Sequence, residues 1–164
     1  MTEEARKKRN TDKLLELYPV FRMRLMNVIT DMEKRGYRPR IQDAWRSPAD
    51  QLIAFNSGHS KLKYGFHNVT GVSGAKESLA VDMLDDDFPL ASRKEYLLNL
   101  ADACTKQKLN TGIKWGLPTA LALAVDTTIK NKDWKSSVKI GWDPSHIEPT
   151  GITTAEAKIG KRPK

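Results

Sequence analysis

The chain has 164 residues, 39% of them hydrophobic and only one of them cysteine, which suits a single domain with a buried core and no disulfide. No apolar run is long enough for a transmembrane helix, and the charged start of the chain does not resemble a signal peptide. The net charge of +8 predicts attraction to polyanions, among them nucleic acids, anionic membranes and acidic cell-wall polymers. We expect one domain over residues 1–164, with flexible basic ends at about residues 1–12 and 152–164.

Helical periodicity dominates the first part of the chain. Apolar residues recur at helical spacing from Leu14 to Met32, and Pro19 predicts either a kink or two helices that meet there. Gly36 is placed to end this helical region. The alternation over residues 38–45 then predicts a strand.

The run Arg46-Ser47-Pro48-Ala49-Asp50-Gln51 predicts the start of a helix that continues to about residues 57–58. Serine at the cap, proline at the first helical position and an acidic residue in the first turn are its signals. Arg46 therefore lies at a strand-to-helix corner, where side chains commonly point into a cleft. A surface ion pair is the simpler alternative role for it.

The segment between His67 and Asp82 is rich in glycine and small polar residues, which predicts a hairpin-like unit with these two residues on neighbouring strands. The aspartates at 85–87 are predicted to form a solvated turn, because regular structure cannot aim three consecutive carboxylates at one site. Helices at about residues 92–108 and 117–132 should follow, with a turn and a short strand between them.

Cys104 lies in the first of these two helices, where a small buried side chain is expected rather than a nucleophile. Residues from 150 onward are polar and basic and are predicted to be loosely ordered. No internal repeat or linker divides the chain.

The run Gly141–Pro149 places Asp143 three residues before His146 in a turn that contains proline. His67 and Asp82 are its possible upstream partners. Two neutral imidazoles and one carboxylate form a ligand set for a catalytic zinc ion, with one position left open for water. Asp143 would then lie beside the metal without binding it and would serve as the general base.

Three further residues complete this candidate site. Arg46 would stabilise a developing oxyanion or bind a substrate carboxylate. Trp142 and Glu148 are expected to form walls of the site or to support its ligands. His59 competes with His67 for the first ligand position, and His67 is preferred because apolar residues flank it.

The Leu79-Ala80-Val81-Asp82 run and the Asp143-Pro144-Ser145-His146-Ile147-Glu148 run, together with an upstream histidine, resemble one family of zinc peptidases. This is the D-alanyl-D-alanine carboxypeptidase and L-alanyl-D-glutamate endopeptidase family, which includes phage endolysins and vancomycin-resistance dipeptidases. Residues 46–51 are similar to its arginine-containing segment, and Lys114-Trp115-Gly116 is similar to its Trp-Gly turn. The resemblance implies an α+β fold in which helices pack on a small antiparallel sheet that carries a single zinc site.

The resemblance also implies a role for each matching residue: Zn2+ ligation by His67, Asp82 and His146, catalysis by Asp143 and Arg46, and substrate binding by Arg46, Trp142 and Gln51. The chain departs from the family in one spacing, since His67 and Asp82 are fifteen residues apart, about twice the usual separation. An insertion centred on residues 69–77 would explain the difference. Gly65 stands where the family has a serine, two residues before the histidine.

The leading hypothesis is a zinc-dependent peptidoglycan peptidase, a phage-type endolysin that cuts between L-alanine and D-glutamate. A D-alanyl-D-alanine carboxypeptidase or dipeptidase is the alternative with the same chemistry. A basic nucleic-acid-binding module is the alternative of another class, disfavoured because the basic residues are dispersed and no nucleic-acid motif is present. We expect a monomer without membrane insertion, made in the cytoplasm and acting on bacterial peptidoglycan after release to the periplasm.

Overall fold

The computed structural model describes all 164 residues, which form an α+β fold with six helices and one four-stranded antiparallel sheet. The helices are α1 (Glu3–Leu14), α2 (Pro19–Lys34), α3 (Pro48–Asn56), α4 (Lys94–Lys106), α5 (Thr119–Lys130) and α6 (Thr154–Lys158). The strands are β1 (Pro39–Asp43), β2 (Val81–Asp85), β3 (Leu109–Gly112) and β4 (Asp143–Pro149), in the spatial order β1-β2-β4-β3. None of the helices has the length and apolar character needed to cross a membrane.

The core lies between the sheet and the helices α2 and α4. Phe21, Leu25, Val28 and Met32 form the fully buried face of α2, which matches the predicted helical periodicity. Pro19 is the first residue of α2, so two separate helices meet at this point. The α4 helix is buried along most of its length, Cys104 included, because it packs against α2, α5 and the sheet.

The N-terminal segment forms helix α1, which paired side chains attach to β1. Arg6 is fully buried, and its guanidinium donates to the carboxylates of Glu3 and Glu33 and to the carbonyl of Pro39. Arg9 donates to two further carbonyls of β1. Because these side chains are charged, composition alone predicted that water would surround them, whereas in the structure they pair with carboxylates and backbone carbonyls.

The C-terminal segment contains the short helix α6 and contacts the rest of the chain. Thr153 and Glu156 form a capping box at the start of α6. Arg162 then donates to the carboxylate of Glu77 and to the carbonyl of Thr70. The basic end therefore packs on the inserted segment that follows His67.

The predicted hairpin-like unit is present after His67, where Thr70 and Lys76 form an antiparallel bridge, and Asp82 lies on a strand, but the placement of His67 on a strand is wrong. His67 lies in a short 3-10 turn, Phe66–Asn68, and not in a strand. Residues 69–77 then form a loop. The chain returns beside the 3-10 turn after this loop, where the amide of Leu79 donates to the carbonyl of Phe66 at 3.0 Å. The longer spacing is thus accommodated by a loop that leaves and rejoins the same place.

The prediction of a solvated turn at residues 85–87 is wrong for its first two aspartates. Asp85 and Asp86 are buried. Arg93 donates to Asp85 at 2.7 Å, and Arg38 and Arg40 pair with Asp86 at 2.9 and 3.1 Å. These arginines come from other segments, so they neutralise the aspartates in a structural cluster away from the candidate metal ligands.

Candidate metal centre

Asp82 and His146 face each other across the middle of the sheet. Asp82 on β2 is the direct antiparallel partner of His146 on β4, so their side chains project from the same face. The Oδ1 atom of Asp82 lies 3.4 Å from Nδ1 of His146. The predicted turn at residues 141–149 is therefore mostly a strand, and this strand supplies the cross-strand neighbour of the carboxylate.

His67 reaches the same point from the 3-10 turn. Its Nε2 lies 3.4 Å from Oδ2 of Asp82, and its Nδ1 lies 2.6 Å from the carbonyl oxygen of Ala44. Because a carbonyl only accepts hydrogen bonds, the proton of neutral His67 lies on Nδ1. Its unprotonated Nε2 consequently faces a carboxylate, an arrangement that a cation between the two groups stabilises.

The three donors have the spacing and chemistry of a zinc site. One ligand atom each from His67, Asp82 and His146 lies within 4.8 Å of the other two. Tetrahedral zinc with bonds of about 2.1 Å places neighbouring ligand atoms about 3.4 Å apart. Both histidine–aspartate separations are 3.4 Å, each to a different oxygen of the Asp82 carboxylate. The three donors are therefore close enough together, and of the right chemical type, to hold a zinc ion.

The second ring nitrogen of His146 lies near another carboxylate. Its Nε2 lies 4.0 Å from the Glu148 carboxylate, two residues further along β4. The ring of Trp115 packs against the imidazole with centroids 5.1 Å apart. Each histidine thus has its other nitrogen directed at an oxygen acceptor, the usual way in which proteins orient imidazole ligands.

Two pKa shifts describe the electrostatics of the donors. Burial raises the pKa of Asp82, but hydrogen bonding to His146 and the positive charges of His146 and Arg46 outweigh it and leave the pKa lowered. Burial lowers the pKa of His146, yet its contacts with Asp82 and Glu148 raise it to about 9. In the metal-free protein this cluster of carboxylates therefore favours a positive charge at the site.

Asp143 lies at the start of β4 beside the three donors, but it does not join their group of mutually close atoms. Its carbonyl approaches Gly112 so closely that a Cβ added there would lie 2.2 Å from the oxygen, so only glycine fits this irregular pairing. Burial, followed by the charge of Asp82, raises the pKa of Asp143. A carboxyl group with a raised pKa beside a metal site is suited to proton transfer.

Arg46 and Gln51 form a linked pair on the opposite wall. Arg46 Nη1 donates to Oε1 of Gln51 at 3.2 Å. The amide nitrogen of Gln51, which is almost fully buried, donates to Ser60 Oγ at 2.8 Å and to the carbonyl of Leu62 at 2.7 Å. Gln51 therefore holds Arg46 and the loop after α3 together, and its own polar atoms are already used.

These residues surround one open cavity of about 740 Å³. Its lining includes the three donors, Asp143, Arg46, Trp142, Glu148 and Lys61. Trp142 is 72% exposed at the rim. His59 also lines this cavity, but its Nδ1 is engaged by Ser57 Oγ at 2.9 Å and it is not among the grouped donors.

The sequence contained no signal for two of these features. The carbonyl of Ala44 that orients His67 is a backbone atom, and no residue type marks it. The packing of the Trp115 ring against His146 was also not predicted, although the Trp-Gly turn itself was recognised in the sequence. Hydrophobic periodicity could not reveal it, because Trp115 lies in a turn between β3 and α5.

The fold and donors define an α+β protein with a candidate metal centre in an open cavity. No protein-family model matches the chain, and no curated protein matches it. Among solved structures it is similar to the L-Ala D-Glu endopeptidase ChiX of Serratia marcescens, with a TM-score of 0.52 and 16% identity, over 87% of this chain and 86% of that one. The LdcB LD-carboxypeptidase gives a TM-score of 0.48 and 15% identity, over 87% of this chain and 62% of that one. The likeness to ChiX shows a shared fold.

Proposed function

We propose that this protein is a zinc-dependent peptidoglycan peptidase that cuts the stem peptide between L-alanine and D-glutamate. The observation that carries the proposal is the donor set of His67, Asp82 and His146 in an open cavity, with Asp143 beside it but outside the group. The choice of bond is supported by the shared fold with ChiX, which is named an L-Ala D-Glu endopeptidase.

The residues of the chain divide the proposed chemistry among them. Zn2+, when held by the three donors, polarises the scissile carbonyl and lowers the pKa of water. Asp143 accepts a proton from the attacking water and delivers it to the leaving amine, a role suited to its raised pKa. Arg46 lines the cavity, and its guanidinium stabilises the oxyanion or binds a substrate carboxylate.

The charge of the molecule suits an acidic polymer. The net charge is +8, and the cavity lining includes the basic side chains of Arg46 and Lys61. The stem peptide contributes carboxylates to the cell wall, so attraction over several ångströms raises the local concentration of substrate. A monomeric phage-type endolysin that reaches the wall after release from the cytoplasm is the setting we propose for this activity.

Digestion of purified sacculi tests the proposal. Mass spectrometry of the soluble products should show new D-glutamate amino termini and muramic acid residues that carry only L-alanine. Asp143→Asn should give neither product. Release of free D-alanine instead would assign the carboxypeptidase reaction, and unaltered stem peptides with zinc-loaded protein would contradict the proposal.

A further inference from the structure

The rim of the cavity carries an ordered aromatic surface that the proposed chemistry does not use. Trp142 directly precedes Asp143 in the chain, and its side chain is 72% exposed. Exposing an indole to water forgoes the free energy of burying a large apolar side chain. An isolated exposed tryptophan needs no explanation, but this one lines the cavity that contains the candidate metal centre.

Gly116 and the ring of Trp115 hold the side chain of Trp142 in position. A Cβ added to Gly116, whose φ is +79°, would lie 2.8 Å from Cδ1 of Trp142, so the indole lies directly on the glycine. The ring of Trp115 packs beside it with centroids 5.4 Å apart and an angle of 51° between the planes. The amide of Trp142 also donates to the carbonyl of Trp115 at 3.2 Å. The exposed side of the indole is therefore a preorganised flat surface.

This surface is close to the candidate reaction centre. Trp115 packs against both Trp142 and His146, with centroids 5.4 Å from the first ring and 5.1 Å from the second. The exposed indole and a candidate metal ligand therefore share one aromatic neighbour. A substrate group bound on Trp142 thus lies within a few residues of the scissile bond, since an extended chain advances about 3.3 to 3.6 Å per residue.

We propose that Trp142 binds the sugar ring next to the scissile bond, the N-acetylmuramic acid to which the stem L-alanine is attached. The inference rests on the proposed function. The stem peptide has small, acidic or basic side chains, and none of them presents a broad flat surface. A pyranose ring presents a face of C–H groups, whose partial positive charge complements the negative face of an indole.

This assignment bears on which bond is cut. Cleavage between L-alanine and D-glutamate occurs one residue from the sugar, so a sugar site close to the metal assists it. Cleavage at the terminal D-alanine occurs at the far end of the stem, where no sugar is attached on the same strand. A sugar-binding Trp142 is therefore a specificity-determining residue for the endopeptidase reaction.

Two matched substrates test the inference: an N-acetylmuramoyl tetrapeptide, and the same tetrapeptide with an acetyl group in place of the sugar. The wild type should cleave the sugar-bearing substrate about fivefold to tenfold more efficiently in kcat/KM, the scale of one aromatic stacking contact. Trp142→Ala should bring this ratio close to one, and Trp142→Phe should retain most of it. Phe88→Ala removes an exposed aromatic ring outside the cavity lining and should keep the wild-type ratio.

A binding measurement separates this inference from the proposed function. Titration with N-acetylmuramoyl-L-alanine should shift the indole N–H resonance of Trp142, identified with Trp142→Phe, and should leave that of Trp134 in place. If the Trp142 resonance shifted selectively but neither substrate were cleaved, the sugar-binding inference would stand and the proposed peptidase function would be overturned. The sugar site is overturned if both substrates are cleaved equally well, if Trp142→Ala keeps the ratio, or if N-acetyl-L-alanine shifts the resonance equally.

Discussion

At the scale of single residues, the centre depends on groups that orient its ligands as much as on the ligands themselves. The carbonyl of Ala44 determines which nitrogen of His67 faces Asp82. Glu148 lies on the far side of His146, at 4.0 Å from Nε2. The Ala44 carbonyl orients the imidazole of His67 before a metal binds, which reduces the cost of ordering the site.

Metal content distinguishes the two candidate histidines. His67→Ala removes one of the three grouped donors, and we expect at least about hundredfold weaker zinc binding, beyond the effect of losing a supporting residue. His59→Ala is the matched control, since this histidine lines the cavity without joining the donors. Zinc titration with a competing chelator measures both variants. Weakened binding in His59→Ala with normal binding in His67→Ala would reverse the ligand assignment.

Gln51 is predicted to bind substrate, and its side chain also accepts the hydrogen bond that positions Arg46 at the cavity. In Gln51→Ala, Arg46 loses its hydrogen-bond acceptor and the loop at residues 60–62 loses two bonds. A misplaced guanidinium should reduce kcat/KM by about tenfold to a hundredfold.

The kinetic and metal-binding measurements are made on the same sample. The amount of zinc bound should remain at the wild-type level, which separates a positioning role from collapse of the centre. Gln107→Ala serves as the control, because it removes an exposed amide that pairs with Asn27 away from the cavity. If Gln51→Ala and Gln107→Ala were equally active, Gln51 would have no role in positioning Arg46.

At the scale of elements, local signals predicted the helices well and long-range pairing poorly. The helical face of α2 and the start of α3 depend on residues a few positions apart, so the sequence displays them directly. The position of His67 depends on the carbonyl of Ala44 and on the backbone bond between Phe66 and Leu79, and no local pattern encodes these contacts between separate segments. The cross-strand pairing of Asp82 with His146 joins segments far apart in the chain and was missed for the same reason.

The burial of charged side chains was not predicted where their ionic partners come from distant segments of the chain. The arginine of α1 and the aspartates that end β2 were expected in water, yet Arg6, Asp85 and Asp86 are buried. Their partners lie on β1, on α2 and before α4, so only the folded chain brings the opposite charges together. The candidate metal donors were predicted from residue type and resemblance, whereas their supporting contacts come from segments that only folding brings together.

Removal of the buried Arg6 guanidinium should loosen α1 from the sheet. Arg6→Ala loses charge-assisted bonds to Glu3 and Glu33 and a bond to the Pro39 carbonyl, and we expect a loss of about 2 to 3 kcal/mol in the free energy of unfolding. Urea denaturation measures the change. Lys8→Ala, on the exposed side of the same helix, should change it by less than about 0.5 kcal/mol. Equal effects of the two changes would mean that α1 contributes little to the fold.

At the scale of the whole molecule, the sheet provides the site and the loops surround it. Two donors come from adjacent central strands, while His67, Arg46 and the loop after α3 close around them. The strands fix the distance between carboxylate and imidazole, and the loops determine what can enter the cavity. Under the proposed function, the central strands carry two of the three metal ligands, and substrate choice depends on residues such as Trp142 at the rim.

The central claim is that a single zinc ion, held by His67, Asp82 and His146, is required for cleavage of the stem peptide. Zinc is removed from the protein and returned in measured amounts while the release of new D-glutamate termini is followed. Activity should rise in proportion to zinc and level off at one ion per chain, as expected for one group of donors. Asp143→Asn should bind the same amount of zinc and lose about a hundredfold or more in kcat. Full wild-type activity after complete removal of zinc would contradict the account.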